Sequence, residues 1–240
     1  MCGIAGIFSR PGGAPPDATT LRRMIARLDH RGPEERGAYR DGRVALGQTR
    51  LSIIDLAGGA QPLANEDETV WIVFNGEIFN YLELRTELEV LGHRFRTRSD
   101  TEVIVHAWEA WGEGAFRRFN GQWAVALWDR RSATLVLSRD PLGILPVCYC
   151  EHGGRLYFAS EAKALFAAEG GIPRGLDPRG LAEVFTFWSA LPPRTVFAGV
   201  AELEPGHVRT YADGRVTDRA YASPRYPEGD EGRFPGTMSD

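Results

Sequence analysis

Apolar residues in this chain fall in short runs whose period alternates between two and three-to-four, and that spacing predicts most of the elements. Gly3 to Phe8 alternates small and apolar residues, as a buried strand does where glycine lets another backbone come close. After a Gly/Pro loop from Pro11 to Pro16, Asp17 caps a segment with Leu21, Met24, Ile25 and Leu28 at helical spacing, ending near Asp29. Strand-like runs at Gly37–Arg40 and Arg43–Thr49 flank Asp41-Gly42, a tight-turn pair. Thr69–Phe74 has no polar face after its first residue, which predicts a strand covered on both sides and ending at Asn75-Gly76. A helix then starts at Asn80 with a capping box to Glu83, buries Leu84, Leu88 and Leu91, and stops at Gly92. Another follows Asp100, with Val103, Ile104, Ala107, Trp108 and Trp111 on one stripe. Trp123–Trp128 and Thr134–Arg139 read as a hairpin, Val147–Cys150 and Leu156–Ser160 as two more strands, and Glu161 and Pro178–Phe187 as helix sites. Strand signals near Gly206–Tyr211 and Arg215–Arg219 close the series around Asp213-Gly214.

Hairpin turns without a strand-helix-strand rhythm favour antiparallel sheets with helices outside. Residues 1–222 show no composition break and read as one domain; from Ser223 to Asp240, Pro, Gly and acidic residues predict a tail or linker. The 43% hydrophobic share of the 240 residues is ample for a core. A net charge of −4, with 28 basic against 32 acidic side chains, supplies no basic stripe for nucleic acid. No apolar run approaches the ~20 residues that span a bilayer, and the start lacks a signal-peptide pattern, so no membrane partner and a cytoplasmic location are expected. Three cysteines argue against a disulfide framework.

Candidate chemistry begins at Cys2. With the initiator methionine removed, one residue offers a thiol and a free α-amine, nucleophile and base together. Arg50 lies between an apolar strand and an apolar turn, where an arginine stem often only covers a sheet edge. Asn75-Gly76 is first a hairpin signal, but a helix follows, so the Asn amide and the Gly N–H could instead be two donors for an oxyanion. Glu77 reads as a turn charge and Asp100 as an N-cap in Ser99-Asp100-Thr101. Cys148, Cys150 and His152 share one face of a strand, but three ligands at core positions give no metal site, and none is expected.

Taken in order, Met1 to Phe8, His30-Arg31-Gly32-Pro33, Arg50 to Asp55, Gln61-Pro62-Leu63, Phe74 to Asn80, Ser99-Asp100-Thr101-Glu102, Arg139 to Gly143 and Ala159 to Leu165 resemble the glutamine-hydrolysing domain of the asparagine synthetases. These are class II glutamine amidotransferases of the N-terminal-nucleophile hydrolase group, and the resemblance runs from Met1 to about Tyr221. It implies an α+β fold, a four-layer αββα sandwich of two antiparallel sheets flanked by helices. It further implies L-glutamine as substrate, Cys2 as nucleophile, and Asn75 and Gly76 as oxyanion donors. Arg50 would take the glutamine carboxylate, Glu77 and Asp100 its ammonium, and the backbone of Leu51 and Ile53 would complete the pocket. Departures are Glu34-Glu35 where two aspartates are usual, Gln48 where histidine is common and Leu145 where a lysine often stands; none is expected to touch glutamine.

No pyrophosphate loop of an ATP-using synthetase domain occurs in the 240 residues, so no cofactor is expected in this chain, ATP and magnesium belonging to the absent synthetase unit. The expected partner is a synthetase domain or chain that accepts ammonia. A glutamine-binding or regulatory module without turnover and an N-terminal-nucleophile amidase with another substrate are the alternatives.

Overall fold

The computed structural model describes residues 1–168 and 171–224. In chain order the first half contains β1 (Gly3–Ser9), α1 (Ala18–Ala26), β2 (Glu35–Arg40), β3 (Val44–Arg50), β4 (Leu63–Ala64), β5 (Val70–Ile78), α2 (Tyr81–Val90) and α3 (Asp100–Trp111). A 3-10 turn (Gly112–Arg117) leads into β6 (Gly121–Asp129), β7 (Thr134–Arg139), β8 (Cys148–His152), β9 (Arg155–Ala159), α4 (Ala162–Leu165) and α5 (Pro178–Phe187). The last strands are β10 (Ala201–Glu202), β11 (His207–Ala212) and β12 (Arg215–Ala220).

The strands form two six-stranded antiparallel sheets, ordered β10-β8-β9-β1-β3-β2 and β12-β11-β7-β6-β5-β4. Strand parity divides the apolar residues into three seams. Ile4, Phe8, Val44 and Leu46 of the first sheet meet Val73, Ala124, Ala126 and Leu137 of the second. Ala5, Ile7 and Ala45 point the other way, onto Leu21, Met24, Ile25 and Leu28 of the α1 stretch and Leu165 of α4. Ile72, Phe74, Val125 and Leu127 pack on Leu84 and Leu88 of α2 and Val103, Ile104 and Ala107 of α3. Helices, two sheets and helices therefore stack as an αββα sandwich. Both faces of the inner strands are covered, so β1 and β3 are buried along their whole length, and each enclosed Leu or Ile contributes about 1.5–3 kcal/mol. Among the described residues no helix is long and apolar enough to cross a membrane.

Several local expectations change. The strand from Val70 does not stop at Asn75-Gly76; its ladder with β6 continues through Asn75↔Ala124 and Gly76↔Trp123 to Ile78↔Gly121. Asn80 forms no capping box, because its side chain reaches elsewhere, donating to the Arg118 carbonyl (2.9 Å) and accepting from Asn120 N–H (2.9 Å). Leu91 is exposed, since α2 ends just before it. Ser99, not Asp100, caps α3 by accepting from Thr101 N–H (3.2 Å), which leaves Asp100 in the first turn. The tail expected from Ser223 lies outside the described residues from position 225 onward.

Candidate active site

Cys2 stands immediately before β1, an inner strand bonded on both edges, and the terminus is tied down at several points. Ile4 N–H donates to Ser160 Oγ (3.0 Å), and Arg31 Nε donates to the Cys2 carbonyl (2.9 Å). Arg31 Nη1 also pairs with Glu161 (2.9 Å). Burial would raise the Glu161 carboxyl, but Lys163, Arg31 and His30 outweigh it and pull it down to about 2. The Cys2 Sγ meets the Leu51 peptide on both sides, 3.4 Å from its N–H and 3.6 Å from its carbonyl. The sulfur is thus positioned by Leu51, and the chain end by residues of the His30–Pro33 and Ala159–Leu165 motifs.

Asn75 shares the parity of Val73 and so faces the other sheet. It is 2% exposed, and its Nδ2 has no hydrogen-bond partner among the described residues. Such a group ordinarily costs about 1–3 kcal/mol, so its retention marks a place where an acceptor belongs. Gly76 follows at φ 156°, where a Cβ would lie 2.2 Å from the Gln122 carbonyl oxygen, so the ladder admits no side chain there. Neighbouring glutamines brace this strand. Gln48 of β3 donates across the inter-sheet seam to the Phe74 carbonyl (2.9 Å), and Gln61 accepts from Phe74 N–H (2.7 Å) while donating to Thr101 Oγ1 (3.1 Å).

Arg50 ends β3 with its guanidinium buried. Nη2 donates to the Asp55 carbonyl (2.7 Å) and Nη1 to the Leu56 carbonyl (3.3 Å) and to Glu35 (3.2 Å), folding the 51–59 loop over the site. Asp100 is buried opposite, accepting from Ile78 N–H (3.0 Å). Burial pushes its carboxyl up to about 6, ahead of the lowering by the Ile78 and Thr101 N–H groups, and the nearby Glu77 charge adds to the rise.

These groups open on one cavity, enclosing about 690 Å³ with its mouth. Cys2, Arg50, Leu51, Ile53, Asn75, Gly76, Glu77 and Asp100, all eight expected site residues, line it. Gln61, Gln122, Ser99 and Thr101 line it as well and were not named as site residues; Gln61, Ser99 and Thr101 stood in recognised motifs, and Gln122, at the start of β6, carried no signal of its own. Two of the departures also reach the site: Leu145 is part of the cavity wall, and Glu35 holds the Arg50 fork. Neither was expected to touch glutamine; the structure adds that Leu145 lines the cavity and that Glu35 pairs with a residue lining it. Leu145 is placed by Asp140, which accepts from its N–H (3.1 Å), and by Arg139, which donates to its carbonyl (3.0 Å). Cys148 and Cys150 are buried in the apolar seam beneath α1 and α4, and burial drives their thiols up to about 12 and about 11. Thiols so held are poor thiolates, which leaves Cys2 as the cysteine that lines the cavity.

Comparison with known proteins points the same way. The family described as "Glutamine amidotransferase domain" matches residues 1–222. Glutamine-hydrolyzing asparagine synthetase 1 of Bacillus subtilis (strain 168) is 41% identical over 224 residues, covering 92% of this chain and 35% of the relative. The glutamine-hydrolyzing asparagine synthetase of Sandersonia aurantiaca is 40% identical over 167 residues, covering 69% of this chain and 31% of its own. The chain thus spans about a third of the length of these curated relatives. Among solved structures, the glutamine phosphoribosylpyrophosphate amidotransferase of B. subtilis superposes with a TM-score of 0.67 at 20% identity, over 92% of this chain and 49% of that one, a likeness of fold.

Proposed function

The chain belongs to the glutamine amidotransferase domain family, and from that premise we propose that it hydrolyses L-glutamine to glutamate and ammonia through a thioester on Cys2. The observation that carries this reading is the unpaired, buried Asn75 amide in the same cavity as the Cys2 sulfur. Removal of Met1, which lies exposed at the cavity, frees the α-amine. That amine takes the Cys2 thiol proton, the thiolate attacks the glutamine side-chain carbonyl, and the new oxyanion takes hydrogen bonds from Asn75 Nδ2 and Gly76 N–H. The C–N bond then breaks, the α-ammonium gives its proton to the leaving nitrogen, and ammonia departs. Water, losing a proton to the same amine, attacks the thioester, and glutamate leaves as the thiol re-forms.

Free glutamine is a zwitterion, and the cavity offers opposite charges for its two ends. Arg50 supplies a fork for the carboxylate, for which Glu35 competes at Nη1. Asp100 and Glu77 supply negative charge for the ammonium. Ammonia passes to an asparagine-synthetase-like, ATP-dependent amidation in a domain or chain outside these residues, where ATP and magnesium would also be bound; the setting is cytoplasmic. Intact mass spectrometry after treatment with a glutamine-analogue electrophile tests the mechanism. A single adduct on a polypeptide lacking Met1, and none on Cys2→Ala, is expected; an adduct of equal yield on Cys2→Ala, or glutamine turnover by that variant, would remove Cys2 from the chemistry.

A further inference from the structure

On the far side of the second sheet, two histidines and two carboxylates converge where the end of α2 meets α3, and none of them lines the Cys2 cavity. His106 and Glu109 lie three apart on α3, on one face, with His106 Nδ1 3.1 Å from Glu109 Oε2. His93 reaches the same carboxylate oxygen from 3.9 Å, and Glu66 comes within 3.7 Å of His106 Nδ1. One ligand atom each from His93, His106 and Glu109 lies within 4.8 Å of the others. In a tetrahedral site with bonds of about 2.0–2.1 Å, neighbouring donors sit about 3.3 Å apart. The His106–Glu109 pair at 3.1 Å already has that spacing, and the widest of the separations, up to 4.8 Å, must close by up to about 1.5 Å.

Each donor is also aimed by a second group. Glu109 Oε1 is taken by Asn65 Nδ2 (2.8 Å) and Arg131 Nη1 (3.3 Å), leaving Oε2 for the imidazoles. His106 is fully buried; its Nε2 has no hydrogen-bond partner among the described residues and looks at the buried Glu102 carboxylate, 3.8 Å away. A carboxylate behind the remote nitrogen is the usual support of a metal-bound imidazole. His93 is set by the helix end: Gly92 takes φ 98°, and His93 N–H bonds the Leu88 carbonyl (3.0 Å), the double turn that closes many helices. Its ring is partly exposed, which gives an entry path. Burial alone would lower His106, yet Glu102 and Glu109 outweigh it and raise it to about 9, so a metal ion has a proton to displace there.

We propose that His93, His106 and Glu109, with Glu66 at the rim, bind a divalent transition cation of the zinc class that clasps α3 to the end of α2. Imidazole and carboxylate donors suit zinc, cobalt or nickel better than calcium or magnesium.

The test is calorimetric titration of Zn²⁺ into the tag-free full chain carrying Cys2→Ser, which removes the thiol-amine chelate at the terminus, with Co²⁺ absorption as a second readout. One saturable equivalent and a higher melting temperature with zinc are expected. His93→Ala, at a partly exposed ring, and Glu109→Gln should each weaken binding at least tenfold. Absence of stoichiometric binding, or binding that both variants leave unchanged, would overturn the proposal and leave His106 as a buried imidazolium held by its carboxylates.

Discussion

Asp100→Asn is the perturbation whose size follows most directly from the structure. The carboxyl is buried and its pKa lies at about 6 instead of 3.8. Below pH 3.8 the group is protonated folded or unfolded and has no effect. Between 3.8 and about 6 the unfolded chain has released its proton while the folded chain keeps it, so stability falls as pH rises; above 6 the full loss remains. At about 1.4 kcal/mol per pKa unit the loss approaches about 3 kcal/mol at pH 8 and is about 1 kcal/mol at pH 4.5. The amide keeps an oxygen for Ile78 N–H but cannot ionise. Its own N–H groups add an effect that does not change with pH. The stability difference between variant and parent should therefore move by about 2 kcal/mol in favour of the variant from pH 4.5 to pH 8. Urea unfolding followed by tryptophan fluorescence at the two pH values measures it. A difference that stays constant would refute the buried-carboxylate account. The same substitution should raise the KM for glutamine, and in the parent KM should rise as pH falls through about 6, because the protonated acid no longer faces the substrate ammonium.

Three further outcomes are expected. Asn75→Ala should lower kcat about 10²–10³-fold, or about 2.7–4 kcal/mol, with a nearly unchanged melting temperature because Nδ2 bonds no other group among the described residues; a large loss of stability with normal turnover would contradict it. Arg50→Lys keeps the charge but not the fork, so KM for glutamine should rise at least tenfold while kcat changes less; steady-state ammonia release decides, and an equal fall in kcat and kcat/KM would place Arg50 in the chemical step. Gly76→Ala puts a methyl 2.2 Å from the Gln122 carbonyl oxygen. It should destabilise the fold by about 1–3 kcal/mol and depress activity, read by thermal melting alongside turnover.

The sandwich was legible because its signals are periodic. Buried strands such as Val70–Phe74 and stripes such as Leu21, Met24, Ile25 and Leu28 repeat along the chain, and the seams they form follow from parity. What was misread depends on partners far off in sequence. Asn80 looks like a cap until the 3-10 turn brings Arg118 and Asn120 to its side chain. The strand from Thr69 looks finished at Asn75-Gly76 until β6 arrives to pair with both residues. The two-residue strands β4 and β10 are too short to show any period. The site residues were recognised as motifs, but their setting was not: nothing in Arg50 and its neighbours announces that the guanidinium is already engaged by Glu35 and by the Asp55 and Leu56 carbonyls. Gln61, Gln122 and Leu145 reach the cavity only through folding.

The amide of Gln48 reaches from one sheet to the strand carrying Asn75, and the sulfur precedes a strand of the first sheet while the orphan donor belongs to the second. Neither half of the reaction centre can therefore loosen without pulling on the other. Turnover should persist up to the temperature at which the two sheets part and vanish there, with no warm, folded but idle state in between.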